Sequence, residues 1–184
     1  MSVRAGTVNF QFIMNVREEL LKEKIHSRGH ALAISEYAVQ SAKNFKQLMQ
    51  CFLDKETRVA QRAAWSVSWA ARKKPAMIKP YIKELVAQLD RKDVHPAIIR
   101  NSIRVLEAID IPEEYHGDVM NACFSFIEGP STPIAIKAFS LTTLFNLTKT
   151  YPEIKNELKI IIEENLPHET AAFKSRAKKI LPAL

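Results

Sequence analysis

Apolar residues recur along this chain at helical spacing, and no stretch alternates in the way a half-buried strand does. The clearest case is the run from Asp54 to Lys73, where small apolar residues fall on one side at about 100° per residue. The opposite side is an arc of roughly 80° that carries cationic and aromatic residues, namely Arg58, Arg62, Trp65, Trp69 and Arg72. This pattern predicts a helix that packs closely through its small face and has a second, distinct surface.

Caps and helix breakers divide the rest of the chain into further helices joined by short loops. Asp54, Asn44 and Thr132 are expected N-caps, and Pro75 is expected to end the Asp54 helix. The predicted helices cover residues 9–26, 30–42, 44–53, 54–73, 76–90, 95–109, 112–128, 133–149, 152–165 and 168–181. Residues 1–8 are expected to be loose. The chain is therefore predicted to be all-α.

The helices repeat at a fixed period. Basic residues occupy like positions in every second helix, at separations of 38, 37 and 37 residues: Arg62, Arg100, Lys137 and Lys174. Pro75 and Pro112 are also 37 residues apart, as are Pro130 and Pro167. A fixed period of this length, built from two helices, predicts a solenoid whose repeats stack into one continuous core. Like positions should then line one row along the solenoid.

The residues at these positions carry a family resemblance. The runs Leu53-Asp54…Val59…Arg62-Ala63, Asp93…Ile99-Arg100 and Ile136-Lys137-Ala138 resemble HEAT repeats and the related armadillo-like superhelix. The resemblance covers about residues 44–184, with a degenerate repeat expected before it. It implies a right-handed α-α superhelix that forms a single domain over residues 1–184.

One feature of the HEAT pattern is missing. The family usually places an Asp several residues before the basic position, and the two form a ladder of hydrogen bonds across repeats. Here Asp93 stands seven residues before Arg100, but the equivalent positions in the other repeats are Lys55, Pro130 and Pro167. The ladder is therefore expected to be broken, which leaves open whether the basic residues are purely structural.

Charge is distributed unevenly along the chain. Its formal net charge is +7. Residues 1–92 hold 17 Lys and Arg against 8 Asp and Glu, a net of +9, whereas residues 93–184 hold 10 against 12, a net of −2. This asymmetry is typical of a protein with an anionic partner, but a solvated basic surface explains it equally well.

The cysteine count and the hydropathy bear on location. The 2 cysteines form neither a disulfide framework nor a metal quartet. The chain contains no run of about 18 apolar residues, the length needed to cross a membrane. The N-terminus also lacks the apolar run of a signal peptide. We therefore expect a reduced, cytoplasmic protein that does not span a membrane.

The Arg/Trp face of the Asp54 helix has two interpretations. Arg neutralises phosphate and Trp stacks on bases, so the face suits a nucleic acid. Alternatively, both Trp residues belong to the core and a flanking Arg lies over the ring, and we favour this interpretation. The candidate binding residues are Arg58, Arg62, Trp65, Trp69, Arg72, Arg100, Lys137 and Lys174.

No catalytic residue, metal site or cofactor is predicted. His26 and His30 have the spacing of a metal pair but no third ligand, and no motif frames His116 and Cys123 as a nucleophile set. The alkylpurine DNA glycosylases are HEAT-like enzymes with a carboxylate in a concave groove, and Glu107 is the best available counterpart. We predict a non-catalytic module that binds a protein partner; the alternative is a basic nucleic-acid-binding protein related to those glycosylases.

Overall fold

A computed structural model describes residues 14–184 of the chain. Within that range the chain forms no β-strand and ten α-helices, with bounds α1 Val16–Lys22, α2 Arg28–Ala38, α3 Ala42–Phe52, α4 Thr57–Lys73, α5 Ile82–Val86, α6 Pro96–Leu106, α7 His116–Glu128, α8 Ile134–Leu147, α9 Lys155–Asn165 and α10 Ala171–Ile180. Short 3₁₀ turns precede α5, α7 and α9 and follow α10. The expectations for residues 1–13 lie outside the described residues.

The helices form five consecutive pairs arranged in two layers. The even-numbered helices form an inner layer in which each helix packs on the next, from α2 through α4, α6 and α8 to α10. The odd-numbered helices form an outer layer, with α3 packed on α4 and α7 packed on α8. Successive pairs that pack mainly on their neighbours define an α-solenoid. The prediction of an all-α solenoid is therefore confirmed.

The small face of α4 explains how closely this layer packs. Ala63, Ala64 and Ala70 are fully buried, and α2, α3 and α6 all pack against this helix. Short side chains allow the helix axes to approach. The pair α5–α6 then joins the two halves, because Ile98 and Val105 pack into the core of the first pairs whereas Ile103 and Leu106 pack into the core of the later ones.

Several helices begin at other residues than the sequence predicted. α4 begins at Thr57 because the Asp54 carboxylate accepts from the Glu56 backbone N–H at 2.8 Å and pairs with Arg17 at 3.2 Å, which holds a turn before the helix. α8 follows Pro133 without a side-chain cap, so the prediction that Thr132 caps it is wrong.

The cap of α3 is also a different residue. Ser41 accepts from the Asn44 backbone N–H at 3.1 Å, so α3 starts at Ala42. The Asn44 side chain instead donates to the Tyr37 carbonyl at 3.1 Å. In the same way Ser27 caps α2 and accepts from the His30 N–H. Serine side chains therefore cap both helices, and the prediction that Asn44 caps α3 is wrong.

Two predicted helices are shorter in the structure. The first ends at Lys22 instead of near residue 26. The long helix predicted over residues 76–90 is reduced to α5, since Pro80 lacks a backbone N–H and lies in a 3₁₀ turn ahead of it. Across the part of the chain that the structure describes, no helix is both long and apolar enough to cross a membrane.

Candidate functional site

The candidate site lies on the inner face, which we define as the side of the even-numbered helices turned away from the outer layer. Side chains of α6 and α10 meet across α8, where Arg176 Nη1 donates to Glu107 Oε2 at 2.6 Å. Arg176 also contacts Thr142 and Phe139 of α8 on the way to Glu107, so these side chains share one side of the stacked inner helices.

Trp69 of α4 is at the centre of the inner face in the first half of the molecule. Its ring is partly buried, with the guanidinium carbon of Arg28 5.3 Å from the ring centroid and that of Arg104 at 4.8 Å. These arginines come from α2 and α6, the two inner helices adjacent to α4. Cation–π attraction favours such positions. The indole Nε1 is buried and has no hydrogen-bond partner among the described residues.

Trp65, one turn earlier on α4, is also partly buried. Its ring meets the His26 imidazole edge-on, with 5.8 Å between centroids. The two tryptophans are therefore neither core residues nor open stacking platforms. The prediction of core positions is corrected to this extent: both rings are only partly buried. The flanking arginine that this interpretation expected over a ring is found at Trp69, where Arg28 and Arg104 both lie over it.

Close packing of the inner helices brings these groups together. Arg104 Nη1 donates to Ser68 Oγ at 3.5 Å, and Ser68 Oγ donates to the Trp65 carbonyl at 2.9 Å. Ser68 is fully buried between α4 and its neighbours. A larger residue at this position would hold α6 away from α4, so the small side chain permits Arg104 to reach the ring of Trp69.

The electrostatic environment of Arg104 is unbalanced. Burial lowers its pKa, and repulsion from Arg72, Arg100 and Arg28 lowers it further, while Glu107 opposes the shift. Over residues 14–184, none of these four arginines has a carboxylate within ion-pair distance, whereas Glu107 pairs with Arg176. Positive charge is therefore concentrated on this part of the inner face, and Glu107, which is paired with Arg176, compensates it only in part.

The inner face of the second half differs. Arg176 also donates to Thr142 and lies over the Phe139 ring at 5.0 Å. Glu107, 8% exposed at its side chain, accepts this ion pair, and its backbone carbonyl accepts from Asn146 Nδ2 at 3.0 Å. The carboxylate weighed as a groove acid is thus held in a structural ion pair across α8.

The candidate row of basic residues contains different environments. Arg62 is 8% exposed and donates to carbonyls at the end of α1. Lys137 is buried and pairs with Glu169 in the connection before α10. Lys174 is exposed and reaches the Pro167 carbonyl at 3.3 Å. All three lie in the first two turns of an inner helix, but only part of the row is open to solvent.

The remaining candidates are exposed. Arg58, Arg72 and Arg100 lie at the surface of α4 and α6, without an ion pair in the described part of the chain. Asp93 is the one Asp at the expected spacing from a basic residue of the row, and it pairs with Arg91 at 2.5 Å instead of with Arg100.

Sequence reasoning missed two residues of this site, Arg28 and Arg104. Arg104 follows Arg100 by four residues and so shares its side of α6, a signal that was available in the sequence. Arg28 lies in the pair that precedes the clear repeats. The repeat register therefore could not predict that Arg28 lies beside Trp69.

The residues weighed for metal binding and nucleophilic chemistry have other partners. His30 is buried and lies 3.2 Å from Glu19 and 3.5 Å from Glu23, and its ring is 3.3 Å from the His26 Nδ1. Residues 14–184 contain no group of three or more His, Cys, Asp or Glu side chains arranged to hold a metal ion. Burial raises the pKa of the Cys123 thiol to about 12, which keeps it protonated at neutral pH.

The chain was compared with known proteins. A family model described as HEAT repeat domain matches residues 17–184. Searches of curated proteins and of solved structures gave no significant match. The match covers the described helices from α1 to the end of the chain, and the paired, stacked helices agree with it. This protein belongs to the HEAT repeat domain family.

Proposed function

We propose that this protein is a non-catalytic scaffold that binds a partner protein through the inner face of its first three helix pairs. The observation that carries the proposal is the group of arginines around Trp69, which form no ion pair within residues 14–184. Proteins usually place opposite charges beside one another, and a segregated cationic surface favours association with an acidic partner. A HEAT-repeat solenoid provides the extended concave surface that such partners use.

Nucleic acid is the competing partner, and the state of the tryptophans argues against it. Binding of single strands depends on aromatic faces that are open to stack on bases. Here guanidinium groups lie over Trp69 and the His26 ring meets Trp65. The basic region is also short, because Arg176 is neutralised by Glu107 on the inner face farther along. Binding of acidic protein side chains requires neither an open aromatic ring nor a long basic surface.

Site-specific photo-crosslinking tests the proposal. A photoreactive amino acid is placed at position 58 or 100 on the inner layer, and at position 46 or 159 on the outer layer as controls. All four native side chains are exposed, so the replacements should not disturb folding. In cells that make the protein, we expect protein adducts from positions 58 and 100 and few from positions 46 and 159. Adducts mainly from the outer positions would refute the proposal.

A salt titration separates the two partner classes. Retention on immobilised single-stranded DNA should be weak and lost at low salt if protein is the partner. A protein that neutralises several phosphates would instead show binding that falls steeply and linearly with the logarithm of salt concentration. A steep slope that Arg72→Gln and Arg100→Gln both reduce would move nucleic acid to first place.

A further inference from the structure

The arginines of this molecule fall into two groups by their partners. Three are paired with carboxylates: Arg17 with Asp54 and Glu56, Arg91 with Asp93, and Arg176 with Glu107. Arg62 donates to three backbone carbonyls. The other arginines within residues 14–184 have neither a carboxylate nor a carbonyl acceptor, and they are Arg28, Arg58, Arg72, Arg100 and Arg104. Four of these five lie around Trp69, and we call Arg28, Arg72, Arg100 and Arg104 the arginine cluster.

The cluster is built by three adjacent helices. Arg28 and Arg104 lie over the Trp69 ring at 5.3 and 4.8 Å. Arg72 follows Trp69 by three residues on α4, and Arg100 precedes Arg104 by four residues on α6, so each shares a side of its helix with a ring contact. A chance surface distribution would leave unpaired arginines scattered, but two of these lie over one aromatic ring and the charges of Arg72 and Arg100 act on Arg104.

A hydrogen-bond donor at the same place lacks an acceptor. Trp69 Nε1 is buried without a partner among residues 14–184, although a buried indole N–H usually finds one. Arg28 is exposed at the first position of α2. Its side chain can therefore move aside and admit an acceptor oxygen. The donors available to a ligand are then guanidinium N–H groups and one indole N–H, with no acceptor among them.

We propose that the arginine cluster binds the phosphate monoester of a phosphorylated residue in the partner protein. This inference rests on the proposed function and specifies the chemistry of its partner. A phosphate monoester carries a charge of about −1.5 to −2 at neutral pH and three acceptor oxygens. Guanidinium forks bind such oxygens in bidentate pairs. A carboxylate brings one negative charge and two oxygens, which would leave most of the cluster uncompensated.

A binding selection tests the proposal directly. The probes are three peptide libraries with the same randomised flanking residues and a central phosphoserine, serine or glutamate. At fixed ionic strength, we expect the folded protein to enrich the phosphoserine library over both others. The highest-ranked phosphopeptide is then used in fluorescence anisotropy titrations. Equal enrichment of all three libraries would overturn the proposal.

Matched variants locate the binding. Arg104→Gln and Arg28→Gln should each weaken phosphopeptide binding by about 10-fold, the value of one charge-assisted bidentate contact. Arg58→Gln removes the same charge from α4 but lies about 16 Å along the helix from Trp69 at 1.5 Å per residue, so it should change binding less than 2-fold. Trp69→Phe keeps a smaller aromatic ring and removes the N–H donor, and it should weaken binding by roughly 3-fold. Equal losses for Arg58→Gln and Arg104→Gln would refute a local site.

Two further results separate this inference from the proposed function. Arg28 is exposed, so the loss of its contact with the Trp69 ring in Arg28→Gln should lower the melting temperature by no more than about 4 °C, and the folded variant then reports on binding. Position 58 lies on the inner layer outside the arginine cluster, so a photoreactive residue there leaves the cluster intact. If phosphatase treatment of the cell extract before irradiation abolishes crosslinking at position 58, both proposals stand. If crosslinking at position 58 survives the treatment, the scaffold proposal stands and the phosphate site is wrong. Displacement of the phosphopeptide by oligothymidine with the same sensitivity to Arg104→Gln would assign the cluster to nucleic acid instead.

Discussion

Replacing Arg62 with methionine should destabilise the first helix pair. Arg62 Nη1 donates to the Leu20 carbonyl at 2.6 Å and to the Glu23 carbonyl at 2.8 Å, and Nη2 donates to the Lys24 carbonyl at 2.9 Å. These carbonyls lie at the end of α1, where the last carbonyls of a helix lack internal partners. Arg62 therefore caps α1 from a helix 38 or more residues away. Methionine keeps the apolar stem and removes every donor.

The size of the effect follows from the burial of the three acceptors. Hydrogen bonds that involve a charged group contribute about 1.5–3 kcal/mol each when their loss leaves a buried partner unsatisfied. Leu20 is fully buried, so its carbonyl should account for the largest share. Glu23 and Lys24 are exposed, and water can replace their bonds at less cost. Burial also lowers the pKa of Arg62, so its removal relieves some desolvation. The net loss should be about 3 kcal/mol.

Thermal and chemical unfolding measure the loss. For a chain of this length, about 3 kcal/mol corresponds to a fall in melting temperature of roughly 6–12 °C. Solenoid repeats can unfold separately, so native-state hydrogen exchange adds a local measurement. We expect the amides of residues 16–24 to lose protection while those of α8 and α10 keep theirs.

Arg58→Met is the matched control. It makes the same substitution one turn earlier on α4, at an exposed residue without an ion pair in the described part of the chain, and should change stability by less than about 0.5 kcal/mol. Equal melts for the two variants would refute the capping role of Arg62. Protection of residues 16–24 that is unchanged in Arg62→Met would refute it independently.

Four further predictions test packing and electrostatics. Ala63→Leu should overpack the inner layer and cost about 1–3 kcal/mol in urea unfolding, because Ala63 is fully buried. Trp69→Ala should cost about 2–3 kcal/mol in the same assay, less than a core tryptophan, because the ring is only partly buried. Lys137→Met should cost about 3 kcal/mol, the lower end for a broken buried pair, because it leaves the partly buried Glu169 carboxylate without its cation. Adding Glu169→Gln should restore much of this loss, and a double variant no more stable than the single one would contradict the ion pair. Burial lowers the pKa of His26 from 6.5 to about 4, so the folded state favours the neutral ring. The contribution of neutral His26 to the free energy of unfolding is complete above pH 6.5 and is lost as the pH falls to about 4. The loss should reach about 2 kcal/mol after allowance for solvent screening. His26→Gln should flatten that part of the pH–stability curve, and an unchanged curve would show that another group is responsible.

Much of the architecture followed from local sequence signals. The period of 37 to 38 residues between Arg62, Arg100, Lys137 and Lys174 predicted stacked helix pairs, since every pair must bury the same face against its neighbours. The small face of α4 was likewise predictable, because helical periodicity fixes the angle of each side chain around its own axis. Boundaries were less certain where two polar residues competed for one cap, as Ser41 and Asn44 did.

The tertiary structure decided which side chains on one arc are buried. Arg58 and Arg62 belong to the same arc of α4, yet Arg58 is exposed and Arg62 lies against the end of α1. The angle around a helix is a local property, but the part of an arc that a neighbouring helix covers depends on where the adjacent repeats stand. The sequence therefore could not separate a structural arginine from an exposed one.

The composition of the arginine cluster was decided in the same way. Trp69 was identified from its place on α4, but Arg28 and Arg104, which reach its ring from other helices, lie 41 residues before it and 35 residues after it in the chain. Glu107 was a plausible groove carboxylate until the stacking of the helices placed Arg176 beside it. The helical pattern determined on which side of its own helix each of these residues lies. The arrangement of the stacked pairs, which depends on packing along the whole solenoid, determined which of them meet.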